Sequence, residues 1–318
     1  MKLSELIIIV ILILISFACT DNDTIKPSVW EKIDSHSQYG FSDIEFLNNE
    51  FGVACGPLGT LFKTDNEGKD WMSLDIGIKY SLMKVFILNE NEFYTSRKGL
   101  YKTNNGGGYF TEIGNLSSFG ATIFEIHFFD TNNGLIFKSG RVYKTNDGGE
   151  NWVEVYEGGF CDIMQFNSRN IGYISGGASW DGMSYGELHK TLDGGNTWTN
   201  LGGQKEIYEW EIMSMDFIDD NTGYISNYNK EFYITQNGGS SWQLLSNSLP
   251  SIFREILFFS KDEGYGMSSC SIFKTIDGGI SWNEEYTDST KIFTSITATP
   301  DGTLFVATTT NIILKKEK

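Results

Sequence analysis

The side chains with chemical potential in this chain fall into four groups. The first is Asn66, Asn105, Asp147, Asp193, Asn237 and Asp277, each two residues before a glycine and five before an aromatic residue. A carboxylate or amide at that spacing accepts hydrogen bonds from its own turn, and the glycine takes positive φ without a Cβ clash. These six are assigned to structure rather than to acid–base chemistry. The second group places rings beside acids in two long connections: Trp180, Asp181 and Tyr185, then Tyr208, Glu209 and Trp210. Exposed rings offer flat apolar area and carboxylates offer directional acceptors, which suits a protein or carbohydrate surface. The third group, Asp43, Glu45, Glu125, His127 and Asp216, is polar but set in short apolar runs. The fourth is Cys19, which directly follows the apolar run 6–17 and Ala18. No nucleophile elbow, phosphate loop or metal-ligand spacing occurs, and there are only three histidines. No catalytic residue, metal or cofactor is expected.

The elements that must hold these groups repeat. The segment Lys63-Thr64-Asp65-Asn66-Glu67-Gly68-Lys69-Asp70-Trp71 returns from Lys144 to Trp152, from Lys190 to Trp198 and from Lys274 to Trp282. Variants end at Phe110 and Trp242. The closing aromatics are 39, 42, 46, 44 and 40 residues apart. A period near forty that ends in a glycine-rich turn and tryptophan suits propeller blades better than helical repeats. A second motif precedes each of these boxes, as in Gly172-Tyr173-Ile174 and Gly223-Tyr224-Ile225, and occurs seven times if Asp301-Gly302-Thr303 is included. Six residues before its glycine or equivalent stand Phe46, Ile87, Phe128, Phe166, Phe217, Phe258 and Ile296, which mark an inner strand. The expected fold is an all-β, seven-bladed propeller of four-stranded antiparallel blades.

Seven repeats with six boxes leave the chain ends complementary. Residues 30–33 read like the strand after a box, and 312–315 like the strand before one. The N-terminal strand is therefore expected to join the C-terminal blade and close the ring, which covers two exposed edges. In that frame the third group lines an axial channel. Residues 176–187 join the second and third strands of the fourth blade, and 201–212 lead to the next blade. Both connections then lie on one rim.

The repeated box resembles the Asp-box, or BNR repeat, of sialidases, sortilins and xyloglucan-degrading glycosidases. The full unit looks most like the photosystem II stability and assembly factor family. That resemblance implies a seven-bladed propeller acting as an assembly chaperone without catalysis. The family's functional surface uses arginines, of which this chain has four: Arg97, Arg141, Arg169 and Arg254. A sialidase-like or xyloglucanase-like glycoside hydrolase is the alternative, since two carboxylates suffice for that reaction.

Ala18-Cys19 after the apolar run resembles a bacterial lipoprotein signal, which implies lipidation of Cys19 and export to the cell envelope. Residues 1–18 are then signal peptide, 19–28 an acidic tether, and 29–318 a single propeller. Net charge is −17, from 41 acids and 24 bases, which argues against nucleic acid and against a polybasic membrane site. The chain is read as a monomeric, non-enzymatic binding scaffold for a protein or carbohydrate partner. It touches the membrane only through its lipid.

Overall fold

The computed structural model describes residues 29–114, 116, 122–158, 160–180, 183–201 and 211–318. Seven four-stranded antiparallel sheets are arranged as blades. Blade 1 runs outward through Asp43–Phe46, Phe51–Cys55, Leu61–Asp65 and Met72–Ser73. The next inner strands are Lys84–Ile87, Ile123–Phe128, Phe160–Phe166, Ile212–Phe217, Glu255–Phe258 and Phe293–Ala298. Each packs against the next, and the last packs against the first. In blade 7 the outer strand is Glu31–Asp34, with Glu31 opposite Lys315 and Asp34 opposite Ile312.

The box is a hydrogen-bonded unit with a part that its spacing did not reveal. Its threonine hydroxyl accepts from the N–H of the second glycine, as from Gly195 to Thr191 at 2.8 Å and from Gly279 to Thr275 at 2.8 Å. The same hydroxyl donates to the acid or amide, as Thr191 does to Asp193 at 2.8 Å. That acid or amide accepts from the N–H four residues on, at 2.9 Å for Thr197 to Asp193 and for Ser281 to Asp277. Asn66, Asn105, Asp147 and Asn237 do the same at 2.9–3.1 Å. The second glycine lies at φ 81° in Gly195 and 91° in Gly279, where L side chains are strained.

The core sits between blades and is built of aromatic sandwiches. Tyr224 stacks on Phe258 of the next blade at 3.8 Å between centroids, and Trp282 meets that phenylalanine edge-on at 6.1 Å. Tyr173, Phe217 and Trp242 repeat the arrangement at 3.6 and 5.9 Å. Phe305, Phe46 and Trp71 carry it across the seam where the ring closes. The strand glycine makes room for the central ring, because a Cβ on Gly223 would lie 2.4 Å from Phe217.

The register of blade 7 departs from the sequence reading. Ala298, not Ile296, faces the start of the second strand, Leu304. Gly302 is not a strand glycine; it lies in a turn at φ 92°. Ile296 instead matches Ile44 and Ile256, two residues earlier in the repeat. With no glycine opposite, a phenylalanine at 298 would have no space, and alanine stands there.

Candidate functional site

An inner strand has one edge with no strand neighbour, so its N–H groups need other acceptors. The preceding blade supplies them. Asp43 accepts from Val85 at 2.9 Å and Glu45 from Ile87 at 3.1 Å. Gln165 accepts from Phe217, Ser214 from Ile256, Asp216 from Phe258 and Glu255 from Ile296, at 2.6–2.8 Å. Much of the polar axis is thus committed to holding blade to blade.

Asp43, Glu45, Glu125 and His127 come together around an axial cavity of about 580 Å³. Asp216 does not line it; from blade 5 it accepts from Phe258 of blade 6 and from Gln165 of blade 4, the latter at 3.1 Å. Lys84 lies 3.3 Å from Glu125 and 3.8 Å from Asp43. Burial works against its charge, but Asp43 and Glu125 outweigh burial and hold the ammonium protonated well above the usual lysine range. Burial pushes Glu45 and Glu125 up to about 8 and Glu255 up to about 7, with Asp43 adding repulsion in each case. His127 stacks on Phe166 at 4.8 Å, and burial lowers it to about 4, so the ring is neutral at physiological pH. With Glu45 and Glu125 raised to about 8, both are largely protonated at pH 7, so the cavity carries less negative charge than its number of carboxyls suggests. Among the described residues no cluster of metal-ligating side chains occurs.

The rim differs from its sequence reading. Residues 176–180 and 183–187 are not a joining loop. They extend the paired strands Gly172–Trp180 and Met183–Thr191, with Trp180 opposite Met183 and Ala178 opposite Tyr185. Once two segments run antiparallel, continued pairing satisfies the backbone groups that face each other across the hairpin. The hairpin end and the connection 201–211 leave on the same face, opposite the boxes. Asp181, Tyr208, Glu209 and Trp210 lie outside the described residues, as does Cys19. Arg141 opens the strand Arg141–Thr145 and pairs with Glu154 at 3.0 Å; Arg169 pairs with Asp130 at 2.6 Å. Cys55 and Cys270 are free thiols.

Fold and turn chemistry define the class: a seven-bladed propeller, six of whose blades carry a box of threonine, aspartate or asparagine, glycine and a closing aromatic. The profile of the family described as Photosynthesis system II assembly factor YCF48 matches residues 22–175, just under half of the chain, and the chain is similar to that family in fold and repeat. The Photosystem II assembly lipoprotein Ycf48 of Synechococcus sp. (strain CC9902) is 22% identical over 281 residues, covering 74% of this chain and 84% of the relative. A solved YCF48 bound to D1 peptide superposes with a TM-score of 0.74 at 18% identity, over 92% of this chain and 99% of that one. The GH74 xyloglucanase from Xanthomonas campestris shares the fold more distantly, with a TM-score of 0.64 at 11% identity, over 90% of this chain and 56% of the enzyme.

Proposed function

We propose that this chain is a non-enzymatic binding and assembly scaffold, exported and held to a membrane of the cell envelope by lipid on Cys19, that engages a protein partner. The observation that carries this reading is its similarity, over most of its length, to an assembly lipoprotein. A solved relative of the same fold binds a peptide. The chemistry agrees with it, because the box acids and most axial acids accept from backbone N–H groups and are not held as a free pair.

The face opposite the boxes is the proposed contact surface, with Trp180, Asp181, Tyr185, Tyr208, Glu209 and Trp210 as its centre. Crosslinking pull-down from the native membrane tests it. Trp180→Ala with Trp210→Ala is expected to abolish recovery of the partner while the melting temperature stays unchanged; full recovery counts against this face. Labelling with radioactive palmitate tests the anchor, and label that persists in Cys19→Ala rules it out. A glycan array scored for both retention and reducing-end release addresses the carbohydrate and hydrolase alternatives.

A further inference from the structure

The face opposite the boxes carries a second feature, well away from the blade 4 rim. Tyr39, Leu58 and Ile292 are about half exposed there, and Tyr80 is 68% exposed. Ile292 precedes the inner strand of blade 7, Tyr39 that of blade 1 and Tyr80 that of blade 2, while Leu58 lies between the second and third strands of blade 1. Backbone contacts join them into one row. Thr309 donates to the Ile292 carbonyl at 2.9 Å, and Gly40 packs so closely on Thr309 that a Cβ would lie 2.1 Å from its carbonyl carbon. A Cβ on Gly56 would lie 2.3 Å from the Gly40 carbonyl oxygen, and Gly59 donates to the Tyr80 carbonyl at 2.6 Å. The row therefore crosses blades 7, 1 and 2. In the box turns, by contrast, the exposed large apolar residues Tyr109, Leu192, Ile276 and Ile280 stand in boxes 2, 4 and 6, with a blade between one box and the next.

Leu58 marks the row independently. Its backbone is left-handed, at φ 55° and ψ 33°, which strains a leucine. Its side chain is half exposed, so burial within the chain offsets little of that strain. Strain of this kind clusters at functional positions.

Charge beside the row is inverted relative to the whole molecule. Lys79 adjoins Tyr80, and the neighbouring turn of blade 2 carries Arg97 and Lys98; none of the three has an ion-pair partner among the described residues. Burial, Glu112 and then Tyr80 raise the Tyr101 hydroxyl above its usual range, and that hydroxyl would lie 3.2 Å from a Cβ on Gly99 in the same turn. The facing acids are Glu112 and Asp75, which accepts from the Gly77 N–H at 2.9 Å. Three cations against two acids is a local excess of base on a chain of net charge −17.

We infer that this row is the docking site for an extended acidic segment of the partner, an inference that rests on the protein-partner reading. Apolar side chains of the segment lie on Leu58 and Tyr80, and its carboxylates face Lys79, Arg97 and Lys98. A contiguous apolar row rimmed by charge marks an interaction surface, and tyrosine is among the residues that most often anchor one. A row crossing three blades suits an extended chain, in which every second side chain points to the same side.

The test uses the full mature chain and a defined probe, a fluorescein-labelled twelve-residue peptide with four leucines and four glutamates spaced by glycine and serine. Fluorescence anisotropy at low salt is expected to show saturable binding. Peptides with lysine for glutamate, or serine for leucine, should each bind at least tenfold more weakly. Leu58→Gly with Tyr80→Ser should weaken binding at least tenfold while the melting temperature stays level or rises, because glycine relieves the left-handed backbone. Trp180→Ala with Trp210→Ala should leave peptide binding unchanged. No saturable binding, equal binding of the lysine peptide, or undiminished binding to Leu58→Gly with Tyr80→Ser overturns the inference. So does a dimer in sedimentation that those two substitutions dissolve, since the occupant is then a second copy. Each of these failures leaves the protein-partner reading standing while crosslinking still recovers a partner from the native membrane; that reading fails separately, when the wild type recovers none.

Discussion

At the residue scale, the box shows how a short motif divides its work. The acid or amide and the glycine were legible from spacing, because a polar acceptor before a positive-φ glycine has few other uses. The threonine's part was not: it stands two residues before the acid or amide in every box, but spacing does not say which groups its hydroxyl bonds. Thr275 is fully buried and both accepts from Gly279 and donates to Asp277. Thr275→Val strands that N–H and is expected to cost about 1–3 kcal/mol in denaturant unfolding. Box 1 carries the opposite defect. Glu67 sits at φ 65°, where the other boxes have glycine. Left-handed backbone costs a side chain about 1 kcal/mol, against a smaller entropic cost of glycine. Glu67→Gly is expected to raise the urea midpoint slightly, and a fall would show that Glu67 is held there by more than strain.

At the element scale, the strand glycine and the inner-strand phenylalanine are a matched pair. Where the glycine becomes Phe93 or Leu304, the partner across the strands shrinks to Ile87 or Ala298. Gly223→Ala is expected to destabilise by roughly 1–3 kcal/mol through overpacking against Phe217. Adding Phe217→Leu should recover part of that loss, and a strictly additive double mutant would contradict the pairing. The period of the repeat marked these strands, but the register of blade 7 escaped it. Gly302 sits at nearly the right distance along the chain, and only the pairing distinguishes a turn glycine from a strand glycine.

At the scale of the whole molecule, charge is divided between the two faces. Connections from first to second strands, together with the box turns, hold fifteen acids and three bases. Connections on the opposite face hold four acids and six bases among the described residues. The axial acids give a second whole-molecule signature. Glu45, Glu125 and Glu255 are raised in the folded state to about 8, 8 and 7 from an ordinary 4.5. The folded state holds their protons more tightly, so their contribution is fully present below pH 4.5 and is lost as pH rises through 7 to 8. Asp147 and Asp193, lowered to about 2, act in reverse: their contribution is present above pH 4 and is lost as pH falls through 2. Stability should peak in mildly acidic solution and decline toward pH 8, and Glu125→Gln should flatten that decline in thermal melts.

The sequence by itself determined the number of blades, the turn that closes each one and the complementarity of the chain ends. These depend on local spacing repeated along the chain, and repetition makes a weak local signal strong. Only the tertiary structure decided what the polar axis is for. Asp43, Glu45 and Asp216 read as channel residues in sequence, yet each, like Glu255, caps an N–H on the neighbouring blade's inner edge. Their donor partners lie about forty residues away, and a backbone N–H carries no side-chain identity to betray the bond.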